Sequence, residues 1–200
     1  MNHNKSNSQD IIKTIFDYTV TILSLTLLIP IIIILSISIK LTGNGPVIYS
    51  QKRIGRNGKA FDIYKFRSMH FGNEEGILLI SDRDDKRITS LGRFMRKYKF
   101  DEIPNFFNVL KGEMSIVGPR PEQQFYIDKI VQREPQYMQL RQLKPGITSW
   151  GQVKYGYASG VEEMIKRMEY DLFYLENRSF FFDLKIVLYT MALILKGQGI

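Results

Sequence analysis

Two adjacent carboxylates, Asp101 and Glu102, follow directly on a basic run that contains Arg93, Arg96, Lys97 and Lys99. At a helix start such a pair has two chemical uses. Backbone amides and nearby Arg or Lys draw in phosphate and hold one carboxylate ionised, while the second is a hard oxygen ligand suited to Mg²⁺. An ionised Asp is also a nucleophile toward phosphorus. The plain structural reading of the same residues is that Asp101 caps a helix and Glu102 offsets its dipole. A further cation, Arg120, stands between Pro119 and Pro121. Each proline fixes φ and biases its predecessor toward extended backbone, so this guanidinium sits on a rigid turn.

These residues need elements to hold them. Residues 47–52 and 60–67 read as a β-hairpin, because Arg56-Asn57-Gly58 between them tolerates positive φ and the flanks are rich in Val, Ile, Tyr and Phe. Lys65 and Arg67 then share one face. Ser90 is placed to cap a helix with Leu91, Phe94, Met95 and Tyr98 on its apolar side and the basic residues on the other. That helix should end near Phe100. Asp101 would cap a second helix running to about Leu110, with Pro104 in its first turn and Gly112 just past its end. Residues 74–86 hold Asp82, Asp84 and Asp85 without the spacing of a calcium loop, and read as a solvated loop. Residues 161–177 have a helical stripe of Met164, Met168, Leu172 and Leu175. Residues 179–195 are apolar except for Asp183 and Lys185, which fits a buried core helix or an amphipathic helix in a membrane interface. Trp150 and the Tyr-rich stretch 155–157 suit headgroup level.

Composition narrows the partners. The 200 residues make room for one compact domain, or one plus an anchor. With 28 Lys+Arg against 20 Asp+Glu the chain carries +8, which suits phosphate, nucleic acid or an acidic lipid surface. The absence of Cys excludes disulfides, iron–sulfur clusters and thiol nucleophiles, and His3 and His70 are too few for an imidazole-rich metal site. No nucleic-acid motif is present, and the aromatics lie mainly in apolar stripes. Residues 18–39 carry no charge between Asp17 and Lys40. As a helix they reach about 33 Å, the thickness of a hydrocarbon core. Pro30, near the middle, predicts a kink, with Ser24 and Thr26 placed to bond the freed carbonyls. Basic residues flank both ends, Lys5 and Lys13 before and Lys40, Lys52, Arg53 and Arg56 after. A kinked span and a re-entrant hairpin therefore both remain open.

Three groups of residues carry a resemblance. They are Tyr64-Lys-Phe-Arg-Ser-Met, then Asp101-Glu-Ile-Pro-Asn-Phe-Phe-Asn-Val-Leu-Lys-Gly-Glu-Met-Ser-Ile-Val-Gly-Pro-Arg-Pro-Glu, then Lys144-Pro-Gly-Ile-Thr with Phe182-Asp-Leu-Lys-Ile. From about residue 12 onward the chain resembles the bacterial sugar transferase family, the monotopic phosphoglycosyl transferases. The resemblance implies an α+β fold in which residues 41–200 form a single compact catalytic domain with interfacial amphipathic helices. That domain would lie on the cytoplasmic face of the bacterial inner membrane, in contact with membrane lipids. Residues 1–40 would be a re-entrant anchor kinked at Pro30, although the family commonly has Ser-Pro where this chain has Ile29-Pro30. The chain reads as the minimal form, without the extra N-terminal membrane helices and soluble domain of larger members.

The resemblance also implies chemistry. Asp101 would attack the β-phosphate of a UDP-sugar, release UMP and hold a phosphosugar that undecaprenyl phosphate then accepts. Glu102 would support Mg²⁺, and Arg96 would contact phosphate. Pro119-Arg120-Pro121 matches an element near the nucleotide, and Lys65 and Arg67 would help neutralise phosphates. Asp171 matches an acidic family position that a salt bridge within the fold explains equally well. No motif reports the sugar, the glycan or the oligomeric state; residues 145–160 are the first guess for sugar-facing contacts. The rival class is a non-catalytic, membrane-anchored basic recruitment module. It accounts for the anchor and the charge, but not for the carboxylate pair, the Pro-Arg-Pro turn and the basic helix together.

Overall fold

The computed structural model describes residues 3–72 and 85–198, with side chains from residue 10 onward. The expected loop at 74–86 therefore lies almost wholly outside the described residues. Of its acidic group only Asp85 is seen, paired with Arg87 at 2.6 Å.

The chain opens with a single long helix, α1 (His3–Leu41), which continues through Pro30. It is long and apolar enough to cross a membrane, and little of its most apolar stretch is buried. The Thr26 hydroxyl donates to the Ile22 carbonyl at 2.9 Å, as Ser36 and Ser38 donate one turn back. This silences a hydroxyl inside an apolar helix, but it means that Thr26 does not serve the carbonyl left without a donor at Pro30. Both halves of α1 touch the globular body. Phe16 and Val20 pack on the main core, and Leu35 and Ile39 are buried against Phe66, Met95 and Ile103.

The hairpin forms as expected. Strands β1 (Ile48–Ile54) and β2 (Ala60–Phe66) pair antiparallel from Ile48 opposite Phe66 to Ile54 opposite Ala60. Asn57 and Gly58 take the positive φ that the turn requires. Helix α2 (Ser90–Lys97) is followed by a 3₁₀ turn (Phe100–Glu102) and helix α3 (Asn105–Leu110). The cap of α2 is Thr89, one residue before the expected Ser90, with its Oγ1 accepting from Gly92 N at 2.9 Å. Strands β3 (Ser115–Val117) and β4 (Gly146–Thr148) pair in parallel. They run on into a close approach where a Cβ on Gly146 would lie 2.2 Å from Gly118 N. Helix α4 (Gln124–Arg133) and a 3₁₀ segment (Pro135–Gln142) fill the crossover, and α5 (Trp150–Lys154), α6 (Val161–Asn177) and α7 (Phe180–Leu195) complete the chain.

The fold thus mixes helices with two small sheets. The main core joins Phe61 and Ile63 of the hairpin to Ile116, Val117, Tyr174 and Ile186. A second cluster packs α4 on α6 through Ile127, Ile130, Met164 and Met168, so the expected α6 stripe is a core stripe. Trp150, expected at headgroup level, is instead 8% exposed inside the main core, with Phe182 edge-on at 5.1 Å. A large aromatic surface gains more from a packed apolar neighbour than from a half-wet position.

Candidate active site

The site is built by α2 and the turn that follows it. A Cβ on Gly92 would stand 1.9 Å from Ser68 O, so only glycine lets α2 lie against the chain leaving β2. Thr89 N bonds the same carbonyl at 3.1 Å. This contact sets Arg96, whose Nε donates to Ser68 Oγ at 3.0 Å. Helix α2 ends at Lys97, earlier than the expected Phe100, because Lys99 adopts a left-handed conformation with φ 56°. A non-glycine residue there costs about 1–2 kcal/mol. The turn folds Lys99 back, so that its Nζ reaches Glu102 Oε2 at 3.4 Å.

Asp101 is not a helix cap. It lies with Glu102 inside the 3₁₀ turn, and α3 starts four residues later behind Pro104 with no side-chain cap. The carboxylate is thereby free of the structural duty that its sequence position suggested. Helix α3 is pinned by Asn108, which is fully buried. Its Oδ1 accepts from Tyr64 N at 3.1 Å, and its Nδ2 donates to Asp62 O at 2.8 Å and to Glu113 Oε2 at 2.7 Å. With β2 held in this way, Lys65 points at the dyad.

Three cations converge on Glu102. Lys65 Nζ lies 2.6 Å from Oε1, Arg120 Nη1 3.4 Å from Oε1 and Lys99 Nζ 3.4 Å from Oε2. Burial alone would raise this carboxyl, but Lys65, Lys99 and Arg120 outweigh it and hold Glu102 well below the usual range. Asp101 moves the other way. Burial pushes its carboxyl up, Lys65 opposes that, Glu102 adds to it, and Arg96 and Lys99 oppose it again. Burial also lowers Lys65 against the pull of Glu102. Neighbouring carboxylates thus differ in proton affinity because one is compensated by contact and the other only at longer range.

Arg67 does not join this centre. Its guanidinium donates to the carbonyls of Ile39 (2.9 Å), Gly43 (3.0 Å) and Asn44 (3.0 Å), closing the C-terminal end of α1. Strand β2 ends at Phe66, so the alternation that would have put Arg67 beside Lys65 stops one residue too soon. Pro119 and Pro121 flank Arg120 as expected, and Pro121 O accepts from Arg53 Nη1 at 3.2 Å. Beside Arg120 lies a small cleft lined by Ile54, Pro119, Tyr137, Arg141 and Pro145. The remainder of 145–160 supplies β4 and α5, where Trp150 and Gly151 are buried.

Sequence reasoning missed two groups. Lys99 was read only as part of a basic face, although its spacing of three residues from Glu102 was visible. Glu122 was not singled out at all. It is buried, paired with Arg167 and with Arg53 at 3.4 Å, and it holds the Pro-Arg-Pro turn against the hairpin through Ile54 N at 3.0 Å. Asp171, left open between a family position and a salt bridge, accepts from the Gly151 amide at 2.8 Å. Burial pushes its carboxyl up to about 6 against that bond and the pull of Arg167.

A buried carboxylate pair ringed by lysine and arginine is thus carried on a body that a long apolar helix, compatible with membrane association, touches twice. The chain belongs to the bacterial sugar transferase family, which matches residues 8–197. It is 39% identical over 188 residues to a UDP-N-acetylgalactosamine-undecaprenyl-phosphate N-acetylgalactosaminephosphotransferase of Aeromonas hydrophila, covering 94% of this chain and 44% of that protein. It is 38% identical to the UDP-glucose:undecaprenyl-phosphate glucose-1-phosphate transferase of Escherichia coli (strain K12), covering 90% of this chain and 39% of that one. It is also 38% identical to the uncharacterized sugar transferase EpsL of Bacillus subtilis (strain 168), covering 95% of this chain and 90% of EpsL. The chain thus spans less than half the length of the first two relatives.

Proposed function

We propose that this protein transfers a sugar-1-phosphate from a UDP-sugar to undecaprenyl phosphate, on the cytoplasmic face of the bacterial inner membrane. This would be the first membrane step in building a glycoconjugate or exopolysaccharide. The observation that carries the reading is the convergence of cations on a buried carboxylate pair. Lys65, Lys99 and Arg120 contact Glu102, and Lys65, Arg96 and Lys99 act on Asp101, a setting suited to a diphosphate. The names of the relatives, UDP-sugar:undecaprenyl-phosphate transferases, agree with such a donor and acceptor.

In this reading an Asp101 oxygen attacks the β-phosphorus, the bond to the bridging oxygen breaks, and UMP departs with that electron pair. An oxygen of undecaprenyl phosphate then attacks the same phosphorus and breaks the bond to Asp101, which returns as a carboxylate. Lys65 and Arg120 hold the phosphoryl oxygens, and Lys65, Arg96 and Lys99 favour the ionised form of Asp101 against its burial and against Glu102. Arg120, fixed between its prolines, presents a guanidinium beside the cleft at little entropic cost. The donor set suits Mg²⁺, which takes one or two carboxylates and completes its shell with substrate phosphates and water; Glu102, with Asp101 beside it, would hold the ion. When bound it offsets charge on the diphosphate oxygens.

The contacts of α1 favour a re-entrant anchor over a crossing one. Asp17 accepts from Ile116 N at 3.1 Å and Ile39 is buried beside Met95, so both flanks of the apolar segment meet one body. A helix that crossed the bilayer would carry one of these flanks away. The outward face of α7 is read as interfacial on the same side. A non-catalytic recruitment module gives no reason for two buried carboxylates ringed by cations.

The test is UMP release from a panel of UDP-sugars by the full chain with Mg²⁺ and undecaprenyl phosphate, with intact mass to find a phosphosugar adduct. One sugar should give UMP, lipid product and an adduct. Asp101→Asn should lose both turnover, by at least about 1,000-fold, and adduct. Full turnover in Asp101→Asn would remove Asp101 as nucleophile.

A further inference from the structure

Helix α7 presents two unlike faces. Asp183 and Ile186 are buried, whereas Phe181, Leu184, Leu188, Met191 and Leu195 are 39–81% exposed. These five recur at steps of three and four residues and so form one continuous stripe. The stripe begins where the apolar segment of α1 begins. Phe16 packs edge-on against Phe180 with ring centroids 5.5 Å apart, and Lys13 Nζ lies 2.7 Å from Asp183. An apolar stripe of this length, continuous with an uncovered apolar helix, is suited to lipid.

Two lysines stand at its border. Lys154 Nζ is 4.8 Å from the Trp150 ring and 5.7 Å from that of Tyr189, and Lys185 Nζ is 5.8 Å from the Trp150 ring. Both side chains are exposed, as is Tyr189. Among the described residues neither ammonium meets a carboxylate. Ammonium groups held over aromatic faces lose little freedom on meeting an anion. Placed at the edge of a lipid-facing stripe, they lie at the depth of the headgroups.

We propose that Lys154 and Lys185 form a site for the headgroup of an acidic phospholipid, so that docking of α7 selects anionic over zwitterionic bilayer lipid. The inference rests on the interfacial reading of α7, and Trp150 allows the two to be tested separately. It is the sole tryptophan of the chain, so its emission reports on this place alone. The full chain is reconstituted in nanodiscs of phosphatidylcholine and phosphatidylglycerol, with bromine carried either by the acidic or by the zwitterionic lipid at equal mole fraction.

Both brominated lipids should quench Trp150, the acidic one about threefold more strongly. Lys154→Gln/Lys185→Gln should abolish that difference, and Lys154→Arg/Lys185→Arg, which retains charge and ring stacking, should preserve it. Quenching by neither lipid would overturn the interfacial placement of α7 and the headgroup site with it. Equal quenching by both would leave the placement standing and overturn the site. A preference that survives in the glutamine variant would remove the two lysines from it. Recovery of emission on adding stoichiometric undecaprenyl phosphate would assign the lysines to the acceptor instead of the bilayer lipid, and would equally overturn the proposal.

Discussion

Two buried charge centres lie on either side of the Pro-Arg-Pro turn, and they are balanced differently. At Glu122 and Asp171, two carboxylates face two guanidiniums, Arg53 and Arg167, and Asp171 has in addition the Gly151 amide. At Glu102, Lys65, Lys99 and Arg120 make contact, whereas Asp101 is acted on by Lys65, Arg96 and Lys99 only at longer range. The first centre is closed by contact: Glu122 meets both guanidiniums and Asp171 meets the Gly151 amide. The second is more open, with one carboxylate compensated by contact and its neighbour not. Sequence composition makes both look alike, since each is an acidic pair near arginines. Their difference lies in how each carboxylate is compensated, and it separates a centre that ties elements together from the one to which the proposed chemistry is assigned.

Breaking the closed centre should cost the most. Arg167→Met leaves Glu122 buried with Arg53 alone, and a broken buried pair typically destabilises by about 3–5 kcal/mol. Denaturant unfolding of the full chain in detergent measures this directly. Substrate turnover by the fraction that remains folded should be close to wild type.

The pH dependence of the same centre comes next. Asp171 binds its proton more tightly folded than unfolded, so its contribution favours folding at low pH and is lost as pH rises from 3.8 through about 6. The shift corresponds to a loss of about 3 kcal/mol over that window. Asp171→Asn stays neutral and should flatten this part of the profile; a thermal midpoint whose pH dependence is identical in the two proteins would count against the assignment.

The open centre should respond in the opposite sense. In Lys65→Met, Glu102 keeps Lys99 and Arg120 and the crowding of cations is relieved, so stability should change by less than about 1 kcal/mol. UMP release should nevertheless fall about 100-fold, the usual scale for removing one preorganised charge donor. If this variant lost as much stability as Arg167→Met, the distinction between the centres would collapse.

The smallest effect concerns the scaffold of the open centre. Thr89→Ala removes the cap of α2 and should cost about 1 kcal/mol in unfolding free energy. Because Arg96 is also held by Ser68, turnover should drop by less than the loss seen in Lys65→Met.

Much of this was legible in the sequence because the signals are local. The Asn57-Gly58 turn demands positive φ, and its flanks have strand composition, so the hairpin followed. The stripe of Met164 and Met168 located α6 to its observed ends. The carboxylate pair and the basic run were visible as neighbours in the chain. What failed also failed for a definite reason. Asp101 was read as a cap because helix-start carboxylates usually are, but a left-handed Lys99 and a rigid Pro104 put a 3₁₀ turn there instead. Arg67 was placed with Lys65 by strand alternation, and β2 ends before that alternation reaches it. The Arg167–Glu122 pair joins residues 45 positions apart, and no periodicity reports such a contact.

By itself the sequence determined the hairpin, α6, the family motif and the identity of the groups to which phosphate chemistry is assigned, since each depends on residue type and near neighbours. Only the tertiary structure decided which carboxylates are compensated by contact and which only at longer range. That balance is a sum over charges brought together from β2, α2, the 3₁₀ turn and the Pro-Arg-Pro turn. Coulombic interaction depends on distance in space, which the order of residues along the chain does not contain.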